Sequence, residues 1–100
     1  MPRAELSPRA GEDMREIWRY RCNTWSERQA QIYIDTLFDE METMAMNPRR
    51  GRATEELSAG LRRQGCGSHS IFYREVADGV FVVRVLHRSM DHSAHVQDDA

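Results

Sequence analysis

The chain predicts an α+β domain: a short N-terminal strand, then an antiparallel helical hairpin packed on one face of a small antiparallel β-sheet. Three observations carry that reading. Apolar residues recur at helical spacing between Pro8 and Met46. From Leu61 onward they give way to runs rich in β-branched and aromatic residues. An Asp78-Gly79 pair divides the last two of those runs.

Residues 3–6 form the first strand, closed by Ser7-Pro8, where Ser caps a helix and Pro suits its first position. Ala10, Met14, Ile17, Trp18 and Trp25 then step along one helical stripe, with Arg21 in the remaining slot. That helix ends near Cys22-Asn23-Thr24. Ser26-Glu27-Arg28-Gln29 is a capping box that starts the second helix. Its stripe is the cleanest in the chain: Ala30, Tyr33, Ile34, Leu37, Phe38, Met41, Met44 and Ala45, stopped by Asn47-Pro48. A link of about three residues makes the two helices an antiparallel hairpin.

Residues 49–60 read as a loop with one helical turn at Thr54 to Leu57. Leu61 to Cys66 is a polar strand with glycines at its end, and Ser68 to Val76 a stronger one. Val80 to Leu86 is apolar nearly throughout, as suits a central strand covered on both faces. The last three strands form an antiparallel meander. The whole is a single domain over residues 1–100, with 88–100 a C-terminal extension free to be flexible.

Composition narrows the function. At 40% hydrophobic and 30% charged, the chain is neither a disordered tail nor a membrane protein. All 14 basic residues are Arg, which excludes Schiff-base chemistry, a P-loop lysine and a lysine general base. A formal net charge of −2 excludes a bulk-basic nucleic-acid binder. The sequence shows no apolar leader and no membrane span, and Cys22 and Cys66 lack a Cys-x-x-Cys spacing. These features predict a cytoplasmic protein with two buried free thiols.

The candidate chemistry lies in arginines on or beside the late strands: Arg62, Arg63, Arg74, Arg84 and Arg88. Arg84 falls inside the apolar strand, where a charge needs either a carboxylate, such as Glu75 or Asp91, or an open face that takes an anion or an acidic peptide. His69, His87, His92 and His95, with Asp91, lack a rigid third ligand for a metal. No Gly-x-Ser-x-Gly elbow places a nucleophile. Gly65-Cys66-Gly67 is a strand end or bulge. Trp18, Tyr20, Tyr33 and Phe38 serve core and hairpin packing rather than base stacking.

Several segments together resemble the ParE toxins of the RelE/ParE toxin–antitoxin superfamily. They are Asn47-Pro48-Arg49-Arg50-Gly51-Arg52, Glu56-Leu57, Gly60-Leu61-Arg62-Arg63, Gly67 to Arg74, and Val83 to Asp91 with His95 beyond. Leu6-Ser7-Pro8, Ala10, Ile17, Tyr20, Trp25 and Gln29-Ala30 agree in kind, so the likeness covers roughly residues 3–96. It implies a cytoplasmic toxin serving plasmid maintenance or the stress response. It further implies a ParD-type antitoxin held in a hetero-oligomer, DNA gyrase as target, and no cofactor, no metal, no membrane and no specific DNA binding by this chain alone. An acidic antitoxin segment would lie on Arg62, Arg63, Arg74, Arg84 and Tyr73, and the target on Arg88, Met90, Asp91 and His95. Relatives of the RelE type cut messenger RNA on the ribosome; such chemistry would rest here on His87, Arg88 and Arg74. Against it, Ser70 stands where those nucleases tend to carry Arg, no Tyr follows Tyr73, and lysine is absent. A third alternative is a degenerate, non-toxic member that only binds antitoxin.

Overall fold

The computed structural model describes residues 1–90 and 92–96. In chain order the elements are β1 (Arg3–Leu6), α1 (Pro8–Thr24), α2 (Glu27–Met46), β2 (Arg52–Ala53), β3 (Leu61–Cys66), β4 (His69–Val76), β5 (Gly79–His87) and α3 (His92–Val96). The caps act as the sequence predicts. Ser7 Oγ accepts from the Ala10 N–H at 2.9 Å, with Pro8 behind it, and Ser26 Oγ accepts from the Gln29 N–H at 3.1 Å. Only Trp25 and Ser26 separate α1 from α2, a tight antiparallel hairpin.

The five-stranded sheet has the order β1-β5-β4-β3-β2. Its centre is the expected meander, with β3, β4 and β5 antiparallel in turn. Two edge strands flank it, and one of them makes the sheet mixed. β2 adds an antiparallel edge inside the segment expected to be a loop, pairing Arg52 with Arg63. β1 runs parallel to β5, Arg3 opposite Gly79 and Leu6 opposite Val82. That pairing follows from connectivity: the helical hairpin is the crossover between the first strand and the last, and crossovers join parallel strands. Gly79 permits the approach, because its φ is +128° and a Cβ there would strike the Arg3 carbonyl.

The hairpin covers one sheet face. Ala10, Met14 and Ile17 of α1 and Ile34, Leu37, Met41 and Met44 of α2 pack on Ile71, Tyr73, Val80, Val82 and Val85. The opposite face is only partly covered. Leu61, Phe72, Val83 and Leu86 form a second cluster with Leu57 and with Val96 of α3. Part of the segment expected to be a flexible extension is therefore a helix with its last residue buried. Not every stripe residue is internal: Trp18 and Tyr33 pack against the core, whereas Tyr20, Trp25 and Phe38 are exposed. Cys22 and Cys66 are free thiols, half-buried rather than buried. Among the described residues, no helix is long and apolar enough to cross a membrane.

One irregularity positions the candidate site. Phe72 pairs with Arg84 but Tyr73 with Val82, so β5 carries one extra residue. Such a bulge re-aims the neighbouring side chain, here turning Arg84 toward the sheet edge. Beyond Leu6 that edge is closed by side chains of α1 and its cap. Ser7 Oγ donates to the Val83 carbonyl at 2.7 Å, and Asp13 Oδ2 accepts from the Val85 N–H at 3.0 Å.

Candidate functional site

The expected antitoxin residues divide into three settings. Arg63 and Arg74 lie on the sheet face away from the hairpin, the face of Leu61 and Phe72 with which they pair across strands. Arg63 Nε donates to Ser70 Oγ at 3.1 Å, and its guanidinium stands 6.0 Å from the Phe72 ring centroid. Arg74 Nη2 donates to Ser58 Oγ at 2.6 Å. Arg62 lies on the hairpin side, opposite Tyr73, with Nη1 on the Gly51 carbonyl at 2.6 Å.

Tyr73 and Arg84 are internal and offer no surface to a partner, which corrects their place among the expected contacts. Tyr73 is fully buried; its hydroxyl donates to the Pro48 carbonyl and accepts from the Gly51 N–H, both at 2.8 Å. It thereby pins the turn after α2, and burial pushes its phenol pKa up. Of the carboxylates expected for Arg84, Glu75 pairs instead with Arg49, and Asp91 lies outside the described residues. Among the described residues Arg84 is bound by the Asp13 carboxylate in a fork, with Nε–Oδ2 at 2.8 Å and Nη2–Oδ1 at 2.9 Å. Sequence reasoning missed Asp13. The available signal was its place on α1 beside Met14, one step from the apolar stripe.

Of the expected target-contact residues, Arg88 reaches across the open face to Gly65, where a Cβ would lie 2.5 Å from its Nη2. Met90 is exposed on the hairpin side, in a cleft of about 410 Å³ bounded by Ile17, Tyr20 and Arg21 of α1 and by Val85 and His87 of β5. His95 gives its carbonyl to Arg84 Nη1 at 3.4 Å. Asp91 lies outside the described residues.

His69 lines that cleft, hydrogen-bonded to Tyr33, which sequence reasoning placed only in packing. Tyr33 Oη accepts from the Ser68 N–H at 2.9 Å and meets His69 Nδ1 at 2.6 Å, while the Arg21 guanidinium stacks 3.5 Å from the Tyr33 ring centroid. The two groups share a hydrogen bond whose direction is set by the tautomer of the His69 ring. Burial, then the neighbouring His87 and Arg21, lower the His69 pKa from 6.5 to about 4, so the ring is neutral at physiological pH. Gly67, at φ +58°, is what lets the turn lie on Tyr33, since a Cβ would sit 2.7 Å from the ring.

The residues that RNA cleavage would require are not brought together. His87 pairs with His69 on the hairpin side and holds Ser89 Oγ at 2.8 Å. Arg88 crosses to the opposite face. Arg74 lies four positions from Ser70 along β4, about 13 Å at strand rise, with its guanidinium committed to Ser58. The other histidines are dispersed as well: the His92 ring stands edge-on to Phe72, 5.0 Å between centroids, and among the described residues no three metal-ligating side chains cluster.

Comparison with known proteins agrees with this geometry. Residues 4–92 match the family described as ParE toxin of type II toxin-antitoxin system, parDE. The chain is 42% identical over 87 residues to Toxin ParE1 of Mycobacterium tuberculosis, covering 86% of this chain and 89% of that protein. It is 43% identical over 91 residues to Toxin ParE1 of Caulobacter vibrioides, covering 91% and 94%. A solved structure titled "Chromosomal ParDE TA system from P. aeruginosa" superposes with a TM-score of 0.74 over 87% of this chain and 96% of that one. At 12% identity that likeness bears on the fold alone. With a helical hairpin on a mixed sheet and a match along most of its length, the chain belongs to the ParE toxin family of type II toxin–antitoxin systems.

Proposed function

We propose that this ParE toxin acts in the cytoplasm by binding rather than by catalysis, that it inhibits DNA gyrase and so halts replication, and that a ParD-type antitoxin silences it. The observation that carries the non-catalytic reading is the separation of His87, Arg88 and Arg74. General acid–base cleavage needs a proton acceptor, a donor and charge stabilisation within reach of one phosphate. Here those groups face opposite sides of the sheet or opposite ends of a strand.

The antitoxin surface we assign is the open sheet face, where Arg63 and Arg74 lie beside the half-buried Leu57 and Phe81. An acidic, amphipathic segment folding onto that face would gain both apolar burial and charge pairing. Target contact falls to Arg88, Met90 and His95 at the end of the last strand.

The test is plasmid supercoiling by purified gyrase with the isolated chain present. Lost supercoiling with cleaved DNA trapped on the enzyme is the expected result, reversed by antitoxin. Full supercoiling with the toxin in clear excess refutes the reading. Cut messenger RNA on induction, with DNA intact, would replace it with ribosome-dependent cleavage.

A further inference from the structure

Several arginines of this chain are neutralised where they stand. Arg3 pairs with Glu5, Arg19 with Glu16, Arg49 with Glu75 and Arg84 with Asp13. Three that are not paired with a carboxylate among the described residues are gathered in one place. A groove of about 430 Å³ along the β2–β3 edge is lined by Arg50, Arg52, Arg63, Gln64, Gly65 and Arg88. Arg50 is held by Glu40, Nε–Oε2 2.8 Å. Among the described residues the other three arginines have no carboxylate partner, and Arg63 spends only Nε, on Ser70 Oγ. A chain of net charge −2 thus concentrates three uncompensated guanidiniums in one groove. Like charges held together cost stability unless an anion fills the space between them.

The construction of the groove indicates which anion. Register sets Arg52 directly opposite Arg63 across the β2–β3 pair. Gly65, two residues along from Arg63, leaves room for Arg88 to lie across the strand. The walls carry no apolar side chain, so a polypeptide would find no anchor of the kind that holds protein partners. Phosphate needs none, since guanidinium forks bind its oxygens directly and supply most of non-specific nucleic-acid affinity. Gln64, the amide that could read an adenine edge, is turned onto the Gly65 carbonyl at 3.2 Å.

We propose that this groove binds the phosphodiester backbone of a nucleic-acid strand without regard to sequence, with Arg52, Arg63 and Arg88 as the phosphate ligands. The site does not depend on gyrase being the target.

The test is fluorescence anisotropy of the full chain with a labelled single-stranded DNA, the same sequence as RNA, and the DNA duplex. Each is titrated between about 50 and 200 mM salt. Three phosphate contacts to a single strand give a slope of log affinity against log salt near −2, at ~0.7 per contact. Arg52 and Arg88 are exposed, so R52A/R88A folds as the parent does, checked by circular dichroism. It should lose at least tenfold in affinity and bring the slope to about −0.7. The single variants Arg52→Gln and Arg88→Gln should each remove about half of that change in slope. The ranking of DNA, RNA and duplex identifies the source of the phosphate, and any of the three bound with this slope supports the site. No binding at about 50 mM salt, or binding unchanged in R52A/R88A, overturns it. So does an Asp/Glu-rich peptide of equal charge binding as tightly.

Discussion

Replacing Asp13 by Ala should unfold much of the population, although Asp13 lies far in sequence from the sheet it stabilises. The Asp13 carboxylate makes three contacts: Arg84 Nε at 2.8 Å, Arg84 Nη2 at 2.9 Å and the Val85 N–H at 3.0 Å. The side chains of the pair are 7% and 15% exposed for Arg84 and Asp13, so water cannot replace the lost carboxylate without opening the edge of the sheet. Removing one partner of a buried pair costs about 3–5 kcal/mol, because the fork between the two charges is lost where water cannot replace it. The stranded Val85 N–H falls within the same disruption. In a domain of this size each kcal/mol moves the melting temperature by roughly 4–8 °C, so a loss of at least about 12 °C is expected. Thermal unfolding of the isolated chain, followed by circular dichroism, measures that shift, and urea unfolding measures the free energy. The double variant D13L/R84M, which removes both charges and restores apolar volume, should recover most of the loss. A single variant within about 1 kcal/mol of the parent, or a double variant no better than the single, would refute the argument.

Two further outcomes follow from the buried hydroxyl and the buried imidazole. Tyr73→Phe strips the Gly51 N–H and the Pro48 carbonyl of their shared partner and should cost about 2 kcal/mol in urea unfolding; a cost under ~0.5 would mean that water takes the place of the hydroxyl. The His69 pKa is lower in the folded chain than in the unfolded one, so between pH 6.5 and about 4 the unfolded state binds the extra proton. Stability is complete above pH 6.5 and falls as the pH drops toward 4, by about 2 kcal/mol once solvent screening from the cleft is allowed for. His69→Gln should flatten that profile, and an unchanged acid limb would assign it to another group.

The helices were legible because each signal was local: Ser7-Pro8 and Ser26 to Gln29 write their own caps, and Asn47-Pro48 writes its own stop. The three-strand meander was legible for the same reason, through Asp78-Gly79. What stayed hidden was set by distance along the chain. No local pattern says that Arg3–Leu6 runs parallel to the last strand, since that depends on where the hairpin returns the chain. Nor does any pattern name Asp13 as the partner of Arg84, because a bulge after Val82 decides where that arginine points. The candidate site was legible as a list of arginines but not as surfaces. Period-two alternation puts Arg62 and Arg63 on opposite faces, and burial removes Tyr73 and Arg84 from any surface at all. The groove of Arg52, Arg63 and Arg88 needed the two-residue strand β2, too short to leave a periodic signal.

The contacts that close the sheet edge join the beginning of the chain to its end: Ser7 to Val83 spans 76 residues and Asp13 to Arg84 spans 71. Contacts so distant form late, because the cost of closing the loop precedes the gain from the contact. During synthesis, the hairpin waits for the strand that supplies the middle of its platform. A message broken before Gly79–His87 yields no weakened toxin; it yields a chain whose first strand has no partner and whose apolar helix faces are open to proteases. Completion of translation thereby becomes a condition of toxicity, imposed by the order of strands alone.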